Sequence, residues 1–274
     1  MACRRLRDMI DSNTPAFGLW VSLADPAVVE IAAYAGYDYV NIDMEHTALD
    51  LGIIENMIRA AHSCGISALV RVPENNRGWI QRAAEIGPDG LFIPHVRNAE
   101  DARQAVIAAK YPPIGDRGIS GSTRAARYGS GGDFNAYAAT INRDFIIHAQ
   151  IEDLSAVEDI EAIAAVEGLD VCGTAPSDLA RTMGVMGTKN DPRTGDAIKK
   201  VAAAIRKVGK AKLAVPIMHP NYTLDTADVV ELGAVMISAG AATKTLLSGL
   251  TENIRKAREK LPPGAKQIKT DCSF

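Results

Sequence analysis

The sequence predicts a single (β/α)8 barrel over residues 1–262, with a long loop at 111–144 and a polar tail at 263–274, on three observations. The first is length: 274 residues, 47% of them hydrophobic, can bury one large core. The second is a repeated joint, in which a helix-like stretch ends in a small residue and Gly and an apolar run begins two or three residues later. It occurs as AGYDYVNID from Ala35, IGPDGLFIP from Ile86, VEGLDVCGT from Val166 and LGAVMISAG from Leu232. Glycine just past a helix end, followed by a wholly apolar strand, marks the link of a βα unit whose parallel sheet is buried on both faces. The third is the count, because eight apolar runs alternate with amphipathic stretches. An open doubly wound sheet is the competing architecture, but no G-x-G-x-x-G follows the first strand.

In chain order, the first strand is expected at Phe17 to Ser22, followed by the helical PAVVEIAAYAG. The next joint opens strand two, Tyr37 to Asp43, and LGIIENMIRAAHSCG behind it carries apolar positions at helical spacing. Strand three is Ser67 to Arg71; GWIQRAAEIG then closes on the joint that opens strand four, Leu91 to Pro94. After the helical AEDARQAVIAAKY, residues 111–144 are rich in Gly and Arg and lack sustained periodicity, which predicts an elaborate loop with one short helix at Phe134 to Thr140. Structured loops of this length are usually functional. Strand five, Phe145 to Ile151, leads through AVEDIEAIAAVEG to strand six, Leu169 to Gly173. DAIKKVAAAIRKVGK precedes strand seven, Leu213 to Met218, and the last joint opens strand eight, Val235 to Ala239.

Composition excludes several classes. A formal net charge of −3, from 30 basic and 33 acidic residues, with a pI near 6.0, leaves no basic footprint for nucleic acid. No stretch approaches the roughly 18 apolar residues of a membrane span, and MACRRLRDMIDSNTPAF lacks the apolar core of a secretory leader. Cys3, Cys64, Cys172 and Cys272 show no C-x-x-C spacing, so neither a zinc knuckle nor a disulfide framework is expected, and a reducing cytoplasm fits best.

In a barrel the chemistry collects where the strands end. Strand two delivers Asp43, Glu45 and His46, strand three Arg71, strand four His95, and strand five Gln150, Glu152 and Asp153. Strand six runs into GTAPSDLA with Ser177 and Asp178, and strand seven into His219. Singly these residues have plainer explanations: Arg71 as an ion-pair partner, Asp178 as the N-cap of a helix beginning at Leu179, and His95, His148 and His219 as core or rim histidines. Together, two acids, an arginine and a histidine from four strands form a constellation. Glu152 and Asp178 are hard oxygen donors with no cysteine beside them, a set that suits Mg²⁺ or Mn²⁺ better than zinc, Co²⁺ being a further candidate. Backbone N–H groups of Ser177 and Asp178 at a helix start would favour a carboxylate, so a 2-oxo acid is expected, with no organic cofactor.

Over nearly the whole barrel the motifs FGLW at Phe17, IDMEH at Ile42, VR at Val70, YPPIGDRG at Tyr111, QIE at Gln150, PSDLA at Pro176 and ELGA at Glu231 resemble the HpcH/HpaI class II pyruvate aldolases. The resemblance implies a (β/α)8 barrel, usually hexameric, in which the positions of Glu152 and Asp178 bind the divalent ion and that of Arg71 contacts the keto or enolate oxygen. It implies that His46, helped by Asp43 and water, transfers a proton in a dyad with an acid of a neighbouring subunit, which falls at Glu85 here. Arg71, Gln150, Ser177 and Asp178 are the substrate-binding candidates. Ala175 stands where a glycine commonly precedes the proline of the metal turn, and an aspartate common after the strand-eight glycine is either replaced by Ala242 or displaced by the extra residue in GAATKTLL.

The expected reaction is reversible carbon–carbon bond formation or cleavage between pyruvate, or a close 2-oxo acid, and an aldehyde. The metal and Arg71 would stabilise the enolate and His46 would shuttle the proton. Decarboxylation of oxaloacetate or another 2-oxo acid, CoA-thioester cleavage, a Schiff base on Lys244, and an idle barrel that senses a 2-oxo acid are the alternatives. Arg117, Ser122, Thr123 and Arg124 of the long loop are candidates for the aldehyde pocket.

Overall fold

A computed structural model describes residues 5–262; the tail at 263–274, with Cys272, and Cys3 lie outside the described residues. The elements run α1 (Arg5–Asp11), β1 (Ala16–Val21), α2 (Pro26–Tyr34), β2 (Tyr39–Asp43), α3 (Leu51–Ser63), β3 (Ser67–Arg71), α4 (Arg77–Glu85), β4 (Gly90–Ile93) and α5 (Ala99–Ala109). They continue with α6 (Phe134–Asp144), β5 (Ile146–Ile151), α7 (Leu154–Glu158), α8 (Ile160–Ala164), β6 (Val171–Thr174), α9 (Pro176–Thr182) and α10 (Pro192–Val208). The last are β7 (Lys212–Pro216), α11 (Thr226–Glu231), β8 (Ala234–Ala241) and α12 (Ala242–Glu259). The strands pair in chain order, and β1 pairs in parallel with β8 to close the barrel. All eight expected strands are present, their ends moved by at most two residues.

All four joint glycines, Gly36, Gly87, Gly168 and Gly233, adopt the left-handed backbone expected of them, with φ of 94°, 75°, 84° and 95°. In three of these joints an aspartate follows directly before the strand: Asp38, Asp89 and Asp170. Each accepts a hydrogen bond from the second residue of the preceding strand, Phe17 N (3.0 Å), Ala68 N (2.8 Å) and Ile147 N (2.8 Å). Each also has a cationic or imidazole partner: Arg5 at 2.8 Å from Asp38, His62 at 2.9 Å from Asp89, and Arg7 with Lys110 at Asp170. The same carboxylate therefore stitches one strand to the next and anchors the outer layer at the end of the barrel opposite the mouth. Over that end α1 presses Leu6 and Ile10 into the interior against Tyr39, Leu69 and Met236.

Strands β2 to β6 are buried along their whole length, as a sheet covered on both faces requires. The 111–144 segment contains a 3-10 turn at Arg127–Gly129, and α6 runs to Asp144 rather than Thr140. Asp133 caps it by accepting from Asn135 N at 3.0 Å, and no breaker interrupts the polar residues that lead to Phe145. Helix α12 buries only Ala242 and leaves Leu246, Leu247, Leu250 and Ile254 exposed. Among the described residues no helix is long and apolar enough to cross a membrane.

Candidate active site

Register brings the first pair together. Asp43, the last residue of β2, lies opposite Arg71, the last residue of β3. The guanidinium donates from Nε to Asp43 Oδ1 (2.8 Å) and from Nη2 to Oδ2 (2.9 Å), a two-point clasp that fixes its plane. Burial disfavours the Asp43 charge, but the Arg71 hydrogen bonds and charge outweigh it, so the carboxyl is held below its ordinary range. Trp20 of β1 places its ring 4.7 Å from Arg71 Cζ, a cation–π contact that supports the same orientation. Asp43 Oδ1 also accepts from Glu45 N at 3.0 Å, turning the chain sharply after the strand. Glu45 is thereby brought back to within 2.9 Å of Arg71 Nη1, while His46 is left with a side chain that is 67% exposed.

A second carboxylate is held from the other side. Glu152, which follows β5, is only 2% exposed. Its Oε1 accepts from His95 N (2.7 Å) and lies 2.8 Å from His95 Nδ1, while Gln150 Nε2 donates to Oε2. His95 Nε2 in turn lies 3.3 Å from Glu45 Oε1. Arg71 Nη1 also reaches Gln150 Oε1 at 3.5 Å. Asp43, Arg71, Glu45, His95, Glu152 and Gln150 thus form one continuous polar network across the ends of β2, β3, β4 and β5. His95 achieves this in a left-handed backbone, φ 56°, uncommon for a non-glycine residue and a mark of a constrained position.

Asp178 is not the N-cap that a helix starting at Leu179 would have. The helix starts three residues earlier than that, at Pro176, and Ala175 occupies the cap position without a side-chain bond. Proline favours the first helical turn, so Ser177 and Asp178 fall inside it, and Asp178 is free of a capping duty. Ser177 Oγ lies 3.1 Å from His219 Nε2. Asp43, His46, Arg71, Gln150, Ser177 and Asp178 line one cavity of about 590 Å³ at the mouth. Glu152 does not line it and is joined to it through Gln150, whose Nε2 donates to Glu152 Oε2. Ala175, His219 and Lys244 complete the far rim, and burial together with the Lys244 charge lowers the His219 pKa.

Whether Glu152 and Asp178 suit a cation is decided by their chemistry. Among the described residues no group of three or more His, Cys, Asp or Glu side chains is gathered as a cage. Two carboxylates remain, and the Glu152 carboxyl is pushed above its ordinary range: burial is the main cause, the His95 hydrogen bond and charge oppose it, and the Asp178 charge adds to it. Glu152 is therefore short of compensating positive charge. Two hard oxygen donors in that condition fit a divalent ion that keeps water or substrate oxygens in its other positions.

Other expected residues fall elsewhere. Glu85 closes α4 at the end opposite the mouth, where its Oε1 accepts from Arg117 Nε (3.1 Å) and Nη2 (2.8 Å). Arg117 and Arg124 line a separate cavity at that end, so within one chain the long loop does not reach the 590 Å³ mouth. His148 is fully inside the barrel, with neither ring nitrogen hydrogen-bonded, and burial drives its pKa down to about 3. A side chain on Gly173 would lie 1.9 Å from its Nε2, which explains glycine at that register position. Sequence reasoning undervalued His95 and Glu45 as site components. A histidine directly after the IP that ends strand four was the available signal.

Comparison with known proteins places this closed parallel barrel among the carbon–carbon lyases built on the (β/α)8 fold. More particularly, the chain belongs to the HpcH/HpaI aldolase/citrate lyase family, whose model matches residues 16–248. It is 36% identical over 249 residues to the 4-hydroxy-2-oxovalerate aldolase of Novosphingobium aromaticivorans, covering 89% of this chain and 90% of that one. It is 35% identical over 224 residues to the 5-keto-4-deoxy-D-glucarate aldolase of Klebsiella pneumoniae, covering 82% and 85%. The crystal structure of an HpcH/HpaI aldolase from Desulfitobacterium hafniense superposes with a TM-score of 0.85 at 31% identity, covering 95% of this chain and 99% of that one.

Proposed function

We propose that the mouth binds pyruvate, or a close 2-oxo acid, and makes or breaks the carbon–carbon bond between it and an aldehyde. The observation that carries this reading is the continuous network from Asp43 and Arg71 through Glu45 and His95 to Glu152 and Gln150, with Asp178 facing the same cavity. Glu152 and Asp178 would hold a divalent cation, Mg²⁺ or Mn²⁺ with Co²⁺ as a further candidate. Once bound it would supply Lewis-acid polarisation of the keto group.

The chain's own residues do the rest. Arg71, its plane fixed by Asp43, offers positive charge to the oxygen that becomes negative when the pyruvate methyl group loses a proton, without having to reorganise. His46 accepts that proton, directly or through water, and returns it to the new alkoxide after the carbanion carbon has attacked the aldehyde. Gln150 orients Glu152, and the first turn of α9, with Ser177 and Asp178, presents N–H groups to the substrate carboxylate. Resemblance to the family adds a homo-oligomer, hexameric, in which Glu85 of one subunit partners His46 of another, and the exposed leucine face of α12 is surface available to such an assembly. A reducing cytoplasm suits the free thiols of Cys64 and Cys172.

The relatives named above differ in substrate, so the aldehyde is to be found by experiment. A panel of aldehydes with pyruvate and Mg²⁺ or Mn²⁺, read by product mass, should give adducts two carbonyl compounds in size. Oxaloacetate without aldehyde tests decarboxylation. Borohydride with pyruvate tests the rival chemistry: a covalent adduct on Lys244, which lines the cavity, would replace the metal reading.

A further inference from the structure

On the far rim of the mouth, the loop after β7 folds back over the first turn of α9. Met218 makes the turn in a left-handed backbone, φ 59°, uncommon for a residue with a Cβ, and leaves its own side chain exposed. The loop is anchored by groups other than His219. Asn221, which is buried, donates from Nδ2 to Pro176 O (3.2 Å), Asn190 N donates to Pro220 O (3.0 Å), and Tyr222 packs in the core. His219 is thereby left to face the cavity, with its Nε2 3.1 Å from Ser177 Oγ. Tyr222 lies parallel to the same imidazole, ring centroids 5.8 Å apart and planes within 8°, which restricts the tilt of the ring. The bond to Ser177 has a defined sense. Asn221 N donates to His219 Nδ1 at 3.3 Å, and because an amide N–H can only donate, Nδ1 carries the lone pair and the proton of the neutral ring is on Nε2. Burial and the Lys244 charge both lower the His219 pKa, which favours that neutral ring. Nε2–H therefore donates to Ser177 Oγ, an atom with no other hydrogen bond among the described residues, and the serine hydroxyl hydrogen is left to be donated elsewhere.

We propose that His219 is a positioning residue for the 2-oxo acid: by donating to Ser177 Oγ it turns the serine hydroxyl hydrogen into the mouth, where that hydrogen is donated to the substrate carboxylate. The inference rests on the reading of the mouth as a 2-oxo-acid site and adds a side-chain donor to its grip. A hydroxyl can rotate between donating and accepting, and satisfying its accepting side in advance removes that choice before the substrate arrives. Hydrogen bonds to a charged carboxylate are stronger than those between neutral groups, so the orientation of one hydroxyl is worth a measurable share of affinity. The carboxylate is unchanged through the reaction. The bond is therefore made equally in the ground state and the transition state, and its loss falls on KM rather than on kcat.

The test follows deuterium entry into the pyruvate methyl group with Mg²⁺ over a range of pyruvate concentrations, in the wild type, His219→Ala, His219→Gln, Ser177→Ala and the double variant. KM should rise about tenfold in His219→Ala and in Ser177→Ala, with kcat changed by less than about twofold. The double variant should match Ser177→Ala alone, because the ring acts only through that hydroxyl. His219→Gln, whose amide N–H can reach Oγ, should restore most of the lost affinity. Thermal unfolding checks that each variant is folded; should His219→Ala not be, His219→Phe, which keeps a ring beside Tyr222 and lacks the donor, takes its place. Unchanged KM in the variant without the donor, or effects of the two substitutions that multiply in the double variant, would overturn the role of His219 while wild-type exchange stands. A wild type that shows no exchange would instead remove the reading of the mouth on which that role rests.

Discussion

Asp43 keeps its charge at the end of a wholly buried strand because Arg71 stands beside it in register and binds both of its oxygens. Lysine cannot make that two-point clasp. Arg71→Lys should therefore reduce kcat about a hundredfold or more while the protein stays folded, as steady-state kinetics beside far-UV circular dichroism would show; unchanged kcat would remove Arg71 from the chemistry. His95 makes a different kind of contribution, holding Glu152 Oε1 by its N–H and its ring. His95→Ala should weaken Mn²⁺ affinity by roughly 10–100-fold, measured by calorimetry without substrate. His148 links a residue to pH. Its native pKa of about 3 lies below its ordinary 6.5, so the unfolded chain takes up the proton first as pH falls. The stability it contributes is fully present above 6.5 and is lost between there and about 3, at up to about 1.4 kcal/mol per pH unit. Urea unfolding at pH 7 and pH 5 should show a smaller pH dependence in His148→Leu than in the wild type.

At the scale of the element, the joints were legible because glycine and the run behind it act locally: the left-handed backbone at Gly36, Gly87, Gly168 and Gly233 follows from chemistry within a few residues. The bond from each joint aspartate to the preceding strand was not legible, since Asp38, Asp89 and Asp170 reach partners about 20 residues away. Asp170→Asn should lower stability by about 1–3 kcal/mol, because Arg7 and the buried Lys110 would lose their carboxylate; denaturant midpoints would read it. The length of α6 and the start of α9 were misjudged for a related reason. Both hinge on caps, and a proline at the first turn moved α9 three residues upstream, changing Asp178 from a cap into a cavity residue.

For the whole molecule, closure of eight strands brings to one rim residues spread from Asp43 to Asp178, and this explains why reading strand ends recovered most of the mouth. It could not recover Glu45 and His95 as a bridge, because their link depends on a sharp turn at Asp43 and a left-handed residue at the end of β4. Nor could it place Glu85, whose proposed partner lies in another copy. If copies associate as proposed, light scattering should report a hexamer, and Leu246→Glu with Leu250→Glu on the exposed face of α12 should reduce its size; a monomeric wild type would remove the trans role of Glu85.

The most direct test of the central claim, that this mouth makes a 2-oxo acid's carbanion accessible, is proton NMR of pyruvate with enzyme and Mn²⁺ or Mg²⁺ in D₂O, the cation removed before acquisition. Deuterium should enter the methyl group at a rate that falls sharply in EDTA and in Glu152→Ala. Undiminished exchange under both conditions, or none with the metal-loaded wild type, would contradict it.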